Sequence, residues 1–335
     1  MYQRIWLLFA CCIVILGCAS TPPQPAAVRS ETFMVPSLDP GISLHVRNKR
    51  LVARSEYPPE RILLMVHGGV VSSESVFDLP LPGGSWMDFV ARQGFDVYMM
   101  DIRGFGRSTR PAVMEQSPES NPPFLKAKDG VKDVSAVVNF ILKRNNVGRI
   151  NLLGWSWGTS VMAGFAAQSP GHVERIVLLA PIWHPRTASP ATAAYRFFNI
   201  ANRPADLPPQ RVEELYPLAW FEKYRAAAYA DDPVGRARMP PALRVPNVAA
   251  SDAEIWKSGR ATFDPAAVSA PTLVIVGEWD TVTPPARSQD LFKSLSGAKY
   301  KRLVILSEGT HVMMLQSNRM QLIREVQHFL EEPAQ

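Results

Sequence analysis

Gly154-Trp155-Ser156-Trp157-Gly158 follows the short apolar run Ile150-Asn151-Leu152-Leu153 and precedes a small-residue stretch over residues 159–167. A short apolar run feeding directly into a helical pattern predicts a strand, a tight turn and a helix. Ser156 sits at the turn, where a glycine on either side lets strand and helix approach closely. A serine held on a sharp turn has an exposed hydroxyl and a strained backbone, which suits a reacting group better than a packing one. A serine hydroxyl is nonetheless unreactive at neutral pH unless a neighbouring base takes its proton. The rest of the chain must therefore supply a base and a group to orient it.

Further apolar runs lie on both sides of this one. They are Ile62-Leu63-Leu64-Met65-Val66, Phe95-Asp96-Val97-Tyr98-Met99-Met100, Ile176-Val177-Leu178-Leu179, Leu273-Val274-Ile275-Val276 and Leu303-Val304-Ile305-Leu306. Strands that are apolar on both faces are what a parallel sheet covered by helices requires. Helical patterns over residues 86–93, 128–144, 159–168, 286–295 and 312–330 alternate with them. In the second of these, Val131, Val134, Val138, Ile141 and Leu142 form one apolar face. Thr283 before Pro284 predicts a capped helix start. Residues 32–35 and 42–47 predict an antiparallel hairpin ahead of the first parallel strand. The alternation specifies an α/β fold with a mostly parallel, doubly wound sheet.

The alternation stops between Pro181 and Pro271, where proline and aromatic residues become dense. Short helices are expected over residues 191–201, 211–216 and 218–230, and Ser251-Asp252-Ala253-Glu254 has the form of a capping box. This insertion joins two strands whose carboxyl ends would hold a site, so it is expected to cover that edge as a cap. The alternative is a helical subdomain with no contact to substrate.

With the serine motif, four other motifs complete a pattern: His67-Gly68-Gly69, the segment from Asp101 to Ser108 (Asp-Ile-Arg-Gly-Phe-Gly-Arg-Ser), Gly277-Glu278-Trp279-Asp280 and Gly309-Thr310-His311. In order and spacing the chain resembles an α/β-hydrolase with an inserted cap, from about residue 36 to residue 330. The resemblance implies Ser156 as nucleophile, His311 as base and Asp280 as the acid that orients the histidine. It implies an oxyanion hole from the N–H of Trp157 and that of Gly69, with Val70 as the alternative second donor. His45, His172, His184 and His328 are the rival bases, but none follows a late strand. Residues 181–186 contain no acid to compete with Asp280. His67 is expected to organise its loop. The Asp101–Ser108 segment is expected to be structural, with Arg103 as a substrate-anion binder the minority reading.

The implied reaction is hydrolysis of a small-molecule carboxylic ester through an acyl-enzyme. Aromatics near the motifs and in the insertion (Trp155, Trp157, Trp183, Trp279, Tyr195, Phe197, Phe198, Trp220, Phe221, Tyr224, Trp256) suit an apolar pocket, though most are expected to pack the core. A proline iminopeptidase-like aminopeptidase is the alternative. It shares the serine and Asp101–Ser108 motifs but departs at Val70, where that family has proline. Glu213, Glu214 and Glu222 could hold its substrate's amine, or belong to a solvated helix surface. Ser156 argues against the aspartate-nucleophile epoxide hydrolases and dehalogenases, while a cofactor-free haloperoxidase-like activity would use the same triad. A non-catalytic lipoprotein using the fold for binding is the third reading. No phosphate loop, dinucleotide fingerprint or metal-ligand cluster is present in the sequence, so no cofactor and no metal are expected. The net charge of +6 is spread among acidic residues without a basic run, so no nucleic-acid partner is expected. Nothing in the sequence decides the oligomeric state.

Arg4 precedes an apolar run over residues 5–16 that ends in Ile15-Leu16-Gly17-Cys18. The run is short for a membrane span and suits a signal peptide. Gly17-Cys18 resembles a bacterial lipobox, which implies cleavage before Cys18 and a lipid on that cysteine. Ala19 favours an outer-membrane anchor facing the periplasm, by the same resemblance. All three cysteines, Cys11, Cys12 and Cys18, lie here, so the folded part has no disulfide and no thiol nucleophile. The expected division is a signal peptide (1–17), a lipid anchor and tether (18–35), a hydrolase core in two parts (36–181 and 271–335) and a helical cap (182–270).

Overall fold

The computed structural model describes residues 26–184 and 191–333. The segment expected as a signal peptide, and Cys18, lie outside the described residues. In chain order the core runs β1 (Val28–Pro36), β2 (Ser43–Leu51), β3 (Ile62–Val66), α1 (Ser73–Phe77), α2 (Trp86–Arg92), β4 (Asp96–Met100), α3 (Ala127–Asn145), β5 (Ile150–Trp155), α4 (Trp157–Gln168) and β6 (Val173–Leu179). The insertion holds β7 (Tyr195–Phe198), α5 (Val212–Leu215), α6 (Leu218–Ala230), α7 (Pro233–Arg236), β8 (Leu243–Pro246), α8 (Val248–Ser251) and α9 (Ala253–Lys257). The core resumes with β9 (Thr272–Gly277), α10 (Pro285–Ser294), β10 (Lys301–Leu306) and α11 (Met320–Glu331).

The main sheet has eight strands in the order β1-β2-β4-β3-β5-β6-β9-β10. The first two strands pair antiparallel, β2 runs antiparallel to β4, and every later pair is parallel. This is the α/β-hydrolase fold. Every residue of β3, β4, β5 and β9 is buried, which is why these segments are apolar without alternation. β10 is as apolar in sequence but forms the sheet edge, and Ile305 on it is 42% exposed. The hairpin is longer than its apolar pattern suggests. β1 already pairs at Val28, inside the stretch expected as tether.

The insertion departs from an all-helical cap. Residues 195–198, expected in a helix, form a strand that pairs antiparallel with β8 as a separate two-stranded ribbon. The aromatic run Tyr195-Arg196-Phe197-Phe198 favours extended backbone, and its partner lies far along the chain, so no local pattern announces the pairing. The capping box at Ser251 does not form. The Ser251 hydroxyl donates to the Asn247 carbonyl, and the Asp252 carboxylate accepts from the Ala127 N–H and Trp157 Nε1. Thr283 does not cap α10 either, because its hydroxyl donates to Asp280. The helix expected over residues 312–330 is interrupted: a single turn at Met313–Leu315 precedes α11. Gln316 in the gap accepts from the N–H and hydroxyl of Thr310, each at 2.9 Å.

Buried charge ties the insertion to the core. Asp231 accepts from the Ser72 hydroxyl after β3 and from Arg107 after β4. Asp232 pairs with Arg244 of β8, both nearly inaccessible. These contacts hold the ribbon and α6 over the carboxyl ends of the parallel strands.

Candidate active site

Ser156 occupies the turn between β5 and α4 at φ 54° and ψ −121°. A non-glycine residue there is strained by about 1–3 kcal/mol, so the surrounding structure must over-determine it. It does so from both sides. A Cβ on Gly154 would come within 2.5 Å of the Gly158 carbonyl, and one on Gly158 would overlap the His67 carbonyl. Only glycine allows α4 to lie this close to β5 and to the loop after β3. The Ser156 N–H donates to the Leu179 carbonyl at 2.9 Å, which continues the ladder with β6 past the strand's end. Serine commonly caps a helix with its hydroxyl, but Ser156 makes no such cap.

Its hydroxyl faces His311 instead, with Ser156 Oγ 3.0 Å from Nε2. On the other side of the ring, Nδ1 lies 2.8 Å from Asp280 Oδ2. Three residues from the ends of three different strands thus form one hydrogen-bonded chain. The carboxylate is fully enclosed. Asp280 Oδ1 accepts from the N–H groups of Val282 and Thr283, at 2.9 and 2.7 Å, and Oδ2 also accepts from the Thr283 hydroxyl at 2.7 Å. The imidazole is held by its own backbone, since Trp155 Nε1 donates to the His311 carbonyl at 3.0 Å. The two rings also stand 5.3 Å apart. Sequence reading missed the roles of Thr283 and Trp155. A threonine three residues after an aspartate is the usual form of a side chain closing a carboxylate turn, and that was the available signal.

Gly69 and Trp157 face the same space. A Cβ on Gly69 would lie 3.4 Å from Trp157 Cβ, so the loop after β3 rests on the first turn of α4. The first N–H groups of a helix have no partner within it and point along its positive end. A negative charge forming beside Ser156 would meet that end. Val70 lines the cavity with Gly69, so both remain second donors by position.

The other histidines are elsewhere. His67 is fully buried, with Nε2 accepting from the Ile102 N–H and Nδ1 on the Gly68 carbonyl at 2.6 Å, and burial lowers its pKa. It organises the loop. His45 pairs with Asp101, His172 lies in a turn before β6, His184 packs on Trp183 and Trp256, and His328 is on the surface. Asp101 accepts from the N–H groups of Ser73 and Arg107, as expected of a structural turn. Burial alone would raise its pKa, but the His45 hydrogen bond and nearby imidazoles outweigh it and hold it low. Arg103 is committed to Asp133 and Asp39, which leaves it no part in binding a substrate anion.

A cavity of about 430 Å³ opens over Ser156 and His311. Trp155, Trp157, Phe198, Tyr224 and Trp256 line it among the aromatics, with Val248, Val282 and Val312. A second cavity of about 320 Å³ adjoins it and shares Phe198, Tyr224 and Val312. Trp183, Trp279, Tyr195, Phe197 and Trp220 line neither and serve packing. Asp252, which the sequence offered only as part of a cap motif, also lines the first cavity. Burial raises its pKa against the opposing hydrogen bonds from Trp157 and Ala127.

The family model of Hydrolase_4, described as serine aminopeptidase, S33, matches residues 57–318. The chain belongs to this family. The matched residues run from the approach to β3 to just beyond His311, and so take in Ser156, Asp280, His311 and the cap. Human Protein ABHD8 is 24% identical over 285 residues, covering 83% of this chain and 57% of the relative. Human Lipase member M is 31% identical over 127 residues, covering 36% of this chain and 30% of that protein. The chain therefore spans about half or less of the length of these relatives. Among solved structures, a serine hydrolase of carbazole degradation aligns with TM-score 0.56 at 16% identity, covering 90% of this chain and 99% of the other. A thermophilic esterase from Thermogutta terrifontis aligns with TM-score 0.55 at 18% identity, covering 90% and 100%. Both likenesses are of fold.

Proposed function

We propose that the protein hydrolyses carboxylic esters by nucleophilic catalysis at Ser156. His311 takes the hydroxyl proton as Oγ attacks the carbonyl carbon, and Asp280 stabilises the imidazolium that forms. The tetrahedral oxyanion is met by the N–H groups of Trp157 and Gly69. The imidazolium then gives its proton to the leaving alcohol, and an acyl-enzyme remains. Water, deprotonated by His311, attacks that acyl group and releases the acid.

The observation that favours esters over N-terminal peptide bonds is the character of the cavity wall. An aminopeptidase needs free carboxylates facing the substrate's ammonium group. Glu213, Glu214 and Glu222 are exposed on the cap, paired with Arg203, Arg211 and Arg225, and none lines the cavity. The cavity's own Asp252 is engaged by Trp157 and Ala127. The remaining wall is mostly apolar and gains about 25 cal/mol per Å² of apolar substrate surface buried. The lipase and esterase names among the similar proteins support this reading, and the family's description keeps the aminopeptidase as the alternative to test.

The test compares kcat/KM for p-nitrophenyl butyrate and octanoate with that for prolyl-naphthylamide, alongside labelling by a fluorophosphonate. Ester turnover should exceed prolyl turnover, rise with acyl length until the cavity is filled, and disappear on labelling. Faster prolyl hydrolysis would overturn the ester reading. No labelling together with no turnover would favour a binding protein. The same proposal places the protein in a bacterial envelope, anchored at Cys18 and facing the periplasm. That part rests on the sequence of residues 1–19 alone.

A further inference from the structure

Arg196 and Phe198 lie two residues apart on β7 and so share one face of the cap ribbon, and both line the cavity over Ser156. Arg196 spends one N–H on Asn247 Oδ1 at 3.0 Å, and its guanidinium carbon stands 5.8 Å from the Phe198 ring. A guanidinium carries five N–H donors in a fixed fork, so most of this one is uncommitted. Arg203, Arg211, Arg225 and Arg244 of the same cap each sit on a carboxylate. Arg196 sits on none among the described residues, and residues 1–25, 185–190 and 334–335 contain no Asp or Glu to supply one. Arg196 is exposed at the rim of the cavity, and its pKa is lowered by partial loss of water with no carboxylate beside it to raise it. Among the described residues, Asp252 is the carboxylate in the cavity wall, and it is turned to Trp157 and Ala127.

A guanidinium at the cavity wall with free planar donors is a receptor for a carboxylate or phosphate, which it binds through paired hydrogen bonds. We propose that Arg196 is an anion subsite of the Ser156 cavity, and that the substrate is an ester bearing an anionic group as well as an apolar chain. The apolar part would extend along Trp256 and Tyr224 toward the adjoining cavity. The substrate half of this inference rests on the ester reading above, whereas the subsite itself does not.

Calorimetric titration of Ser156→Ala protein with hexanoate, hexyl phosphate and hexanol separates the two, because it needs no turnover. At least one anion should bind about tenfold more tightly than hexanol, and which one it is names carboxylate or phosphate as the group. Adding Arg196→Gln should collapse that ratio and Arg196→Lys should keep part of it, with circular dichroism melting used to check that both variants fold. Equal binding of anions and hexanol, or a ratio unchanged by Arg196→Gln, would overturn the subsite. The kinetic companion is the kcat/KM ratio of mono-p-nitrophenyl glutarate to its methyl ester, expected to favour the anion about tenfold and to lose that preference in Arg196→Gln. If neither glutarate is hydrolysed, the ester reading fails while the titration still decides the subsite.

Discussion

Ser156 occupies a strained backbone and leaves its helix uncapped, and both features serve the contact with His311. Asp280 shows why the chain needs an aspartate at its end. Two N–H groups, a hydroxyl and the imidazole converge on its two oxygens, and only a carboxylate can accept from all four. An amide at this position turns an NH₂ toward a donor and disturbs the imidazole's tautomer. Ser156→Ala and His311→Ala should each lower kcat by about 10⁶-fold, and Asp280→Asn by about 10⁴-fold, measured on p-nitrophenyl butyrate. Wild-type-like turnover in Ser156→Ala would remove the mechanism entirely. The positions of these three residues were legible in the sequence because each sits in a short motif directly after an apolar run. The role of Trp155 was not, because its contact to the His311 carbonyl spans a distance in the chain that only folding closes. Thr283, by contrast, lies three residues from Asp280, and its role was missed despite that local signal.

Among elements, the core was legible and the cap was not. Strands β3 to β6 and β9 are buried on both faces, so composition alone marks them, and α3 carries its apolar face at helical spacing. The ribbon of β7 and β8 depends on long-range pairing and on the buried ion pair between Asp232 and Arg244, whose side chains are 2% and 6% exposed. Burial would raise the Asp232 pKa, but the Arg244 side chain and backbone N–H outweigh it and hold it below the ordinary aspartate value. A depressed carboxylate stabilises the fold above its unfolded pKa and loses that contribution as pH falls through its folded one. Asp232→Asn should therefore cost about 3 kcal/mol near neutral pH by removing the buried partner of Arg244 and leaving it only the exposed Glu115. The gap between wild type and variant should narrow below about pH 4, read by urea unfolding at a series of pH values. A gap that stays constant into acid would mean that the pair's charge contributes nothing.

For the whole molecule, the basic cavity residue and the N-terminal segment bear on where and on what the protein works. A lipid at Cys18 would hold the hydrolase core at a membrane surface, with residues 19–27 as the link before β1 begins at Val28. Amphiphilic substrates are concentrated at such a surface, which agrees with a mostly apolar cavity where, among the described residues, Arg196 has no carboxylate partner. Cys18→Ser should abolish incorporation of a fatty-acid analogue and release the protein from the membrane fraction, followed by metabolic labelling and fractionation. Equal labelling of wild type and Cys18→Ser would show that another residue, or none, is the acceptor.

The sequence by itself determined the doubly wound core and the strand-end positions of Ser156, Asp280 and His311, because burial on both sheet faces and tight turns at strand ends leave local signatures. It also narrowed the chemistry to propose, since a serine at the turn argues against an aspartate nucleophile and no cysteine follows Cys18. Only the tertiary structure decided that residues 195–198 form a strand, that Asp252 braces Trp157, and that Arg196 meets the cavity without a carboxylate. Each of these depends on partners distant in the chain. Whether a cap arginine is an ordinary surface charge or a receptor for substrate depends on which acids surround it in space, and neither spacing nor composition records that.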